Sequence, residues 1–270
     1  MKKLLLLIVL ILSVGLVSNG QTKKSYESVT YVRVNVNKLS RFVELHKKFT
    51  DIGISKNYKA TGNWLFRHWY GSGHAFVMYE QFDSMNDYYE TMDNFGKNIG
   101  EKMESIKDAK EKENFTKDFE EWFSMFKGHT DEIRVLNSEN SFIIGKDVDF
   151  DTPFVFVVGK YSTTGDWGKT ANAFVDWRVK PDVNSGAAIG GGVSYHHIGS
   201  GSEIEAWQAF KTFGDFASAI TSKTPQSDAA KEAGKTFGSL ITGFHEDQIY
   251  LHMGHVDLTK KIFDLAGPNK

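Results

Sequence analysis

The side chains best suited to chemistry in this sequence are its nine histidines. His68 and His196 each stand three residues before a Gly-Ser-Gly run, Gly71-Ser72-Gly73 and Gly199-Ser200-Gly201. An imidazole titrates near neutral pH and can bind a metal or move a proton. The plainer account makes both of them hairpin residues with hydrogen-bonded ring nitrogens, and it is preferred. His129 with Asp131, and His245 with Asp247, are two residues apart and share a face if they lie in a strand. A carboxylate there can orient the ring and raise its basicity. A histidine near a helix C-terminus is also favourable to the dipole, which explains the pairs without any function. His252 and His255 are three apart. In a strand they point to opposite faces, so no chelate forms and no metal is expected.

Other motifs fail on spacing. Gly168-Lys169-Thr170 resembles the end of a phosphate-binding loop, but position 163 is Thr where that loop needs Gly. The run from Gly186 to Gly192 precedes a predicted strand, whereas a dinucleotide fingerprint precedes a helix. The metalloprotease and serine-hydrolase signatures are missing from the sequence.

The chain repeats itself. Residues 62–88 align without a gap on 190–216, an offset of 128, with seven of 27 positions identical. His68 meets His196, Tyr79 meets Trp207 and Asp87 meets Asp215. Each copy closes alike, with His129-Thr-Asp131-Glu-Ile133 against His245-Glu-Asp247-Gln-Ile249. Two copies are too few for a solenoid and point to a pseudo-dimer.

Period supplies the elements. In copy one, 29–36 alternates as a strand, and a helix capped by Asn37 or Ser40 carries Phe42, Leu45, His46 and Phe49. Strands 64–70 and 74–82 form a hairpin. Helix follows through Met92, Phe95, Ile99, Met103 and Ile106 and through Phe119, Trp122, Phe123 and Phe126, and 133–136 is a last strand. Copy two repeats this with strand 154–161, helix 169–179, hairpin 193–198 and 203–210, a helix bearing Phe237, Leu240, Ile241 and Phe244, and strand 249–256. The order β-α-β-β-α-β is ferredoxin-like. The expected fold is therefore α+β, with units at 28–136 and 153–257, a linker at 137–152 and a tail at 258–270. Two such units pack sheet against sheet.

This arrangement resembles the dimeric α+β barrel group, which includes small monooxygenases, NIPSNAP-like proteins and haem-binding peroxidase relatives. The resemblance lies in element order and duplication over nearly all of the chain after its N-terminal segment. It carries over no catalytic residue and leaves the cofactor open.

Composition narrows the partners. Hydrophobic residues are 40% and aromatics 14%, enough for a large core. There is no cysteine, hence no disulfide and no thiolate site. Residues 1–20 read as a basic start, an apolar run from Leu4 to Val17 and a small polar end, the anatomy of a signal peptide. Cleavage before Gln21 and export to the periplasm or medium are expected, with membrane contact only through the uncleaved segment. Without Lys2 and Lys3 the 32 basic residues become 30 against 34 acidic, a net charge of −4. No basic stripe tracks a phosphate backbone, so nucleic acid is not an expected partner. Oligomeric state is not legible.

The two hairpins differ in bulk. Copy one carries Trp64, Phe66, Trp69, Tyr70, Phe76 and Tyr79, and copy two has Gly192, Ser194, Ile198, Ile204 and Ala206 at five equivalent positions. The plain account is complementary packing across a shared core. The sharper one is a cavity on the copy-two side, lined by Ser194, Tyr195, His196 and Trp207, with His68 as the counterpart of His196. The leading functional reading is a binder of a small apolar or aromatic ligand. A barrel monooxygenase or haem peroxidase comes second, and a structural or interaction module third.

Overall fold

The computed structural model describes residues 23–71, 73–146, 148–221 and 226–267. The segment 1–20, the cleavage point before Gln21, and Ser72 of the first turn lie outside the described residues.

Unit one runs β1 (Lys24–Val32), α1 (Leu39–Gly53), β2 (Gly62–Gly71), β3 (Phe76–Phe82), α2 (Met85–Ser105), α3 (Ala109–Met125) and β4 (Thr130–Asn137). A two-residue strand β5 (Ile143–Ile144) lies in the segment between the units. Unit two runs β6 (Val155–Thr163), α4 (Trp167–Phe174), a π-turn (Val175–Val179), α5 (Lys180–Ser185), β7 (Gly190–Gly199), β8 (Ile204–Phe210), α6 (Phe213–Thr221), α7 (Asp228–Leu240) and β9 (Ile241–Asp257). The final strand, β10 (Ile262–Leu265), falls in what the sequence suggested was a tail and pairs with the end of β9. Its Phe263 is fully buried in the unit-one core.

Each unit is ferredoxin-like, and eight antiparallel strands close into a barrel in the order β9-β2-β3-β1-β4-β7-β8-β6, with β6 returning to β9. The two seams are equivalent. In one, Gly71 pairs with Gln248, Tyr70 with Ile249 and His68 with Tyr250. In the other, Gly199 pairs with Glu132, Ile198 with Ile133 and His196 with Arg134. A register shift falls at the same place in both, between His68 and Tyr70 and between Ile133 and Arg134. Gly71 and Gly199 share a left-handed backbone, φ 97° and 105°. A Cβ on either would lie 2.6 or 2.7 Å from a carbonyl oxygen of the facing strand, so only glycine serves.

Strand alternation makes the barrel two-faced. Val29, Tyr31, Phe66, Tyr79, Phe156, Trp207 and Tyr250 pack together inside. The outer faces carry helices, with α1, α2 and α3 over unit one and α4, the π-turn and α7 over unit two.

Four details depart from the sequence reading. The first strand runs from Lys24 to Val32 and ends before Val36, which opens a 3-10 turn. Neither Asn37 nor Ser40 caps α1, which grows from a 3-10 turn and has Lys38 at its N-cap with no side-chain bond. The helical stretch read from Met92 to Phe126 breaks at extended, buried Ile106, and Asp108 restarts it by accepting from the Glu111 N–H at 2.7 Å. α7 stops at Leu240, so Ile241 and Phe244 belong to β9.

The small residues of copy two also find their reason here. A Cβ on Gly192 would lie 2.0 Å from the Ser141 carbonyl oxygen. The inter-unit segment crosses there, Val193 N–H donating to Asn140 O at 3.0 Å, and Phe142 packs on Trp207 at 5.2 Å. Beside Gly192 the space is filled by the inter-unit segment. Gly192→Ala must therefore displace backbone. We expect it to lower unfolding free energy by about 1–3 kcal/mol, the range for overpacking, read as a shifted denaturant midpoint.

Candidate functional site

Between the outer face of unit one and its helices lies a cleft of about 260 Å3. Its floor follows from alternation: Ser28 and Thr30 of β1, Met78 and Glu80 of β3 point outward where Val29, Tyr31, Val77 and Tyr79 point in. Its roof is the apolar side of the helices, His46 from α1, Tyr88, Met92 and Phe95 from α2, and Trp122 from α3.

His46 occupies a core position on the stripe that also buries Phe42, Leu45 and Phe49. It is 5% exposed, stacked on Phe42 at 5.6 Å and held edge-on by Phe263 at 5.0 Å. Neither ring nitrogen has a hydrogen-bond partner. Burial pushes the imidazole down to about 4, so the ring is neutral at physiological pH. Trp122 stacks on Phe49 at 5.2 Å, and its buried Nε1 likewise has no partner. The two rings are 6.4 Å apart. A buried polar group left unpaired costs about 1–3 kcal/mol, so two in one cleft mark a place where a ligand or water gains by binding.

The polar floor is better satisfied. Glu80 accepts from Tyr58 Oη at 2.5 Å and Asn63 Nδ2 at 3.2 Å, and burial raises its carboxyl above the usual range. At the rim, His129 Nε2 lies 2.8 Å from Asp131, its Nδ1 lies 2.6 Å from Phe126 O, and Thr30 Oγ1 donates to Asp131 at 2.7 Å. The equivalent pair of unit two, His245 and Asp247, lies at 3.1 Å. These pairs hold one another at the rim of each cleft, in line with a structural role.

Unit two has an equivalent cleft of about 430 Å3, with Val157, Gly159, Ala206, Gln208 and Asp247 where unit one has Ser28, Thr30, Met78, Glu80 and Asp131. β6 follows β1 at a step of 129 (Ser28 to Val157, Thr30 to Gly159), which carried into the first helix sets Val175 against His46, and the helix pattern sets Leu240 against Trp122. Among the described residues that line the two clefts, buried unpartnered ring nitrogens occur in the unit-one cleft and not in the unit-two cleft.

The five residues singled out in the sequence are dispersed over four environments. Ser194 is buried inside the barrel, its Oγ accepting from Arg134 Nε at 2.6 Å. Tyr195 lies on the opposite, helix-covered face, its hydroxyl accepting from Asn140 Nδ2 at 2.9 Å. His196 sits near the hairpin with Nε2 3.0 Å from Gly199 O. His68 takes the equivalent seat, edge-on to Tyr250 at 6.0 Å, with Nε2 buried and unpartnered. Trp207 lines a small cavity within the barrel.

No protein-family model and no curated protein matches the sequence. Solved structures do. A putative monooxygenase from Lactobacillus acidophilus NCFM aligns with a TM-score of 0.55 at 9% identity, over 90% of this chain and 97% of the other. A second, from Fusobacterium nucleatum subsp. nucleatum, gives 0.54 at 8% identity, over 87% and 94%. An anthrone oxidase-like protein gives 0.51 at 10% identity, over 87% and 93%. The chain has the dimeric α+β barrel fold. In this barrel one polypeptide supplies both halves, and likeness at such low identity extends to the fold alone.

Some barrels of this group bind haem, and this chain's clefts do not suit it. The unit-one cleft lies below the roughly 300–1,000 Å3 of ordinary ligand sites, and Glu80 and Asp131 would face an anionic porphyrin. The larger cleft has no histidine among its lining residues.

Proposed function

We propose that the chain binds a small ring-bearing molecule in the unit-one cleft, its ring between Met78, Met92 and Phe95 and its polar edge toward His46 and Trp122. The observation that carries this reading is the three buried, unpartnered ring nitrogens, two of His46 and one of Trp122, lining one cleft. The Trp122 N–H calls for an acceptor, and neutral His46 can donate from one nitrogen and accept at the other. A phenolic or keto-phenolic ring has that edge. The N-terminal zones of the sequence support export as the setting.

Calorimetric titration with 1-naphthol tests the reading. Wild type binds. Trp122→Phe and His46→Phe each bind about tenfold more weakly, the equivalent of one hydrogen bond of about 1.4 kcal/mol. Trp177→Phe, in the other cleft, leaves affinity unchanged. Equal affinity across all four proteins would remove the cleft from consideration.

Oxygenation of the bound ring is the second reading, favoured by the fold shared with two putative monooxygenases and an anthrone oxidase-like protein. With its basicity reduced by burial, His46 is a poor proton acceptor, which ranks binding first. Oxygen uptake on adding anthrone, abolished in His46→Phe, would reverse that ranking.

A further inference from the structure

The barrel interior holds a separate cavity that the unit-one cleft does not reach. It has about 40 Å3 of room, and its wall includes the rings of Trp64, Phe66, Phe142, Phe150, Phe156 and Trp207. The polar side chains on that wall are Glu27, Gln81 and Tyr79, whose hydroxyl donates to Glu205 at 2.8 Å. Phe142 and Phe150 come from the inter-unit segment, which forms the cover.

Glu27 is the unusual member. It is 7% exposed and accepts one hydrogen bond, from Gln81 Nε2 at 3.1 Å. The other charged groups of the interior are paired. Arg134, opposite Glu27 across β1 and β4, turns its guanidinium onto Glu132 at 3.0 Å and onto Ser194 and the Ser202 carbonyl. Lys160 lies 4.0 Å from Glu205 and donates to Tyr31 Oη at 2.7 Å. Among the described residues no cation stands within ion-pair distance of Glu27. Burial and the nearby Glu205 raise its carboxyl to about 7, although the field of Arg134 opposes this.

We infer that this cavity is a site for a compact methylated ammonium group, held by aromatic faces and neutralised by the Glu27 carboxylate. Ring faces carry negative charge density and attract a cation most strongly where water is excluded. A carboxylate without an ion-pair partner supplies the compensating charge, and the small volume selects a trimethylammonium head over a larger ring system. The inference does not rest on the unit-one reading, because the two sites share no residue.

The test compares choline with its uncharged carbon isostere, 3,3-dimethylbutan-1-ol, by titration at about pH 8, above the raised Glu27 value. We expect choline to bind wild type at least about tenfold more tightly than the isostere. Glu27→Gln should abolish that preference, Phe142→Ala should weaken choline, and His46→Phe should leave choline unaffected. Phe142 is 42% exposed, so its truncation is tolerated by the fold and serves if the Glu27 variant does not fold. No saturable choline binding, equal binding of the isostere, or full retention of choline affinity in either cavity variant would overturn the assignment.

Discussion

Arg134→Ala should lower unfolding free energy by about 3–5 kcal/mol, the range for removing one partner of a buried ion pair. Arg134 is the largest fully buried side chain of the barrel interior. Its guanidinium holds Glu132, the Ser194 hydroxyl and carbonyl, and the Ser202 carbonyl, and so ties β4, β7 and the hairpin beyond it into one network. Truncation would leave a carboxylate with 4% of its side chain exposed and no counter-charge. The seam of unit two shows that the barrel itself does not require this pair, because Gln248 and Tyr250 occupy the equivalent seats. Replacing the pair together, Glu132→Leu with Arg134→Met, should therefore cost much less than the single truncation. Urea denaturation of the three proteins at neutral pH measures both differences. A single variant within about 0.5 kcal/mol of wild type, the scatter of ordinary surface changes, would mean that solvent reaches Glu132 and satisfies it.

The second large effect is a pH dependence. The His46 imidazole is held at about 4 against an ordinary 6.5. The folded state thus refuses a proton that the unfolded chain accepts. The stability that depends on keeping this ring neutral is fully present above 6.5 and falls as pH drops toward 4, by about 1.4 kcal/mol per unit. His252, lowered to about 3, acts in the same direction. Glu27, raised to about 7 from 4.5, acts oppositely: its contribution is full below 4.5 and disappears as pH rises toward 7. The three partly cancel in wild type, so the informative quantity is a difference. His46→Phe removes one refused proton. Its stability relative to wild type should improve by about 2 kcal/mol between pH 7 and 5, with an added gain at pH 7 from deleting two unpartnered nitrogens. A gap between the two proteins that does not change with pH would show that His46 reaches water.

The fold was legible because duplication fixes strand order and period fixes strand and helix. The aligned histidines at 68 and 196 do occupy equivalent seams. Less visible were features set by packing between distant segments. β10 exists because Phe263 fills the space beside His46, a contact across more than two hundred residues. The bulk difference between hairpins allowed either complementary packing or a cavity, and beside Gly192 the segment carrying Ser141 and Phe142 fills the space. His46 was visible as a histidine on an apolar helical stripe, which is a common core position. Its lack of partners depends on helices standing off the sheet, and no local pattern records that. Trp122 was hidden in the same way among Phe119, Phe123 and Phe126.

The central claim is that the unit-one cleft, through His46 and Trp122, receives a ring with a polar edge. The most direct measurement is the indole N–H signal of Trp122, identified in a 1H–15N spectrum by its loss in Trp122→Phe and followed during addition of 1-naphthol. An N–H without a partner that gains an acceptor should move downfield and slow its exchange with solvent, and the His46 ring nitrogens should shift at the same midpoint. Saturable movement of both supports the site. If naphthol binds while the Trp122 and His46 signals remain fixed, the ligand sits elsewhere and the account of the cleft is wrong.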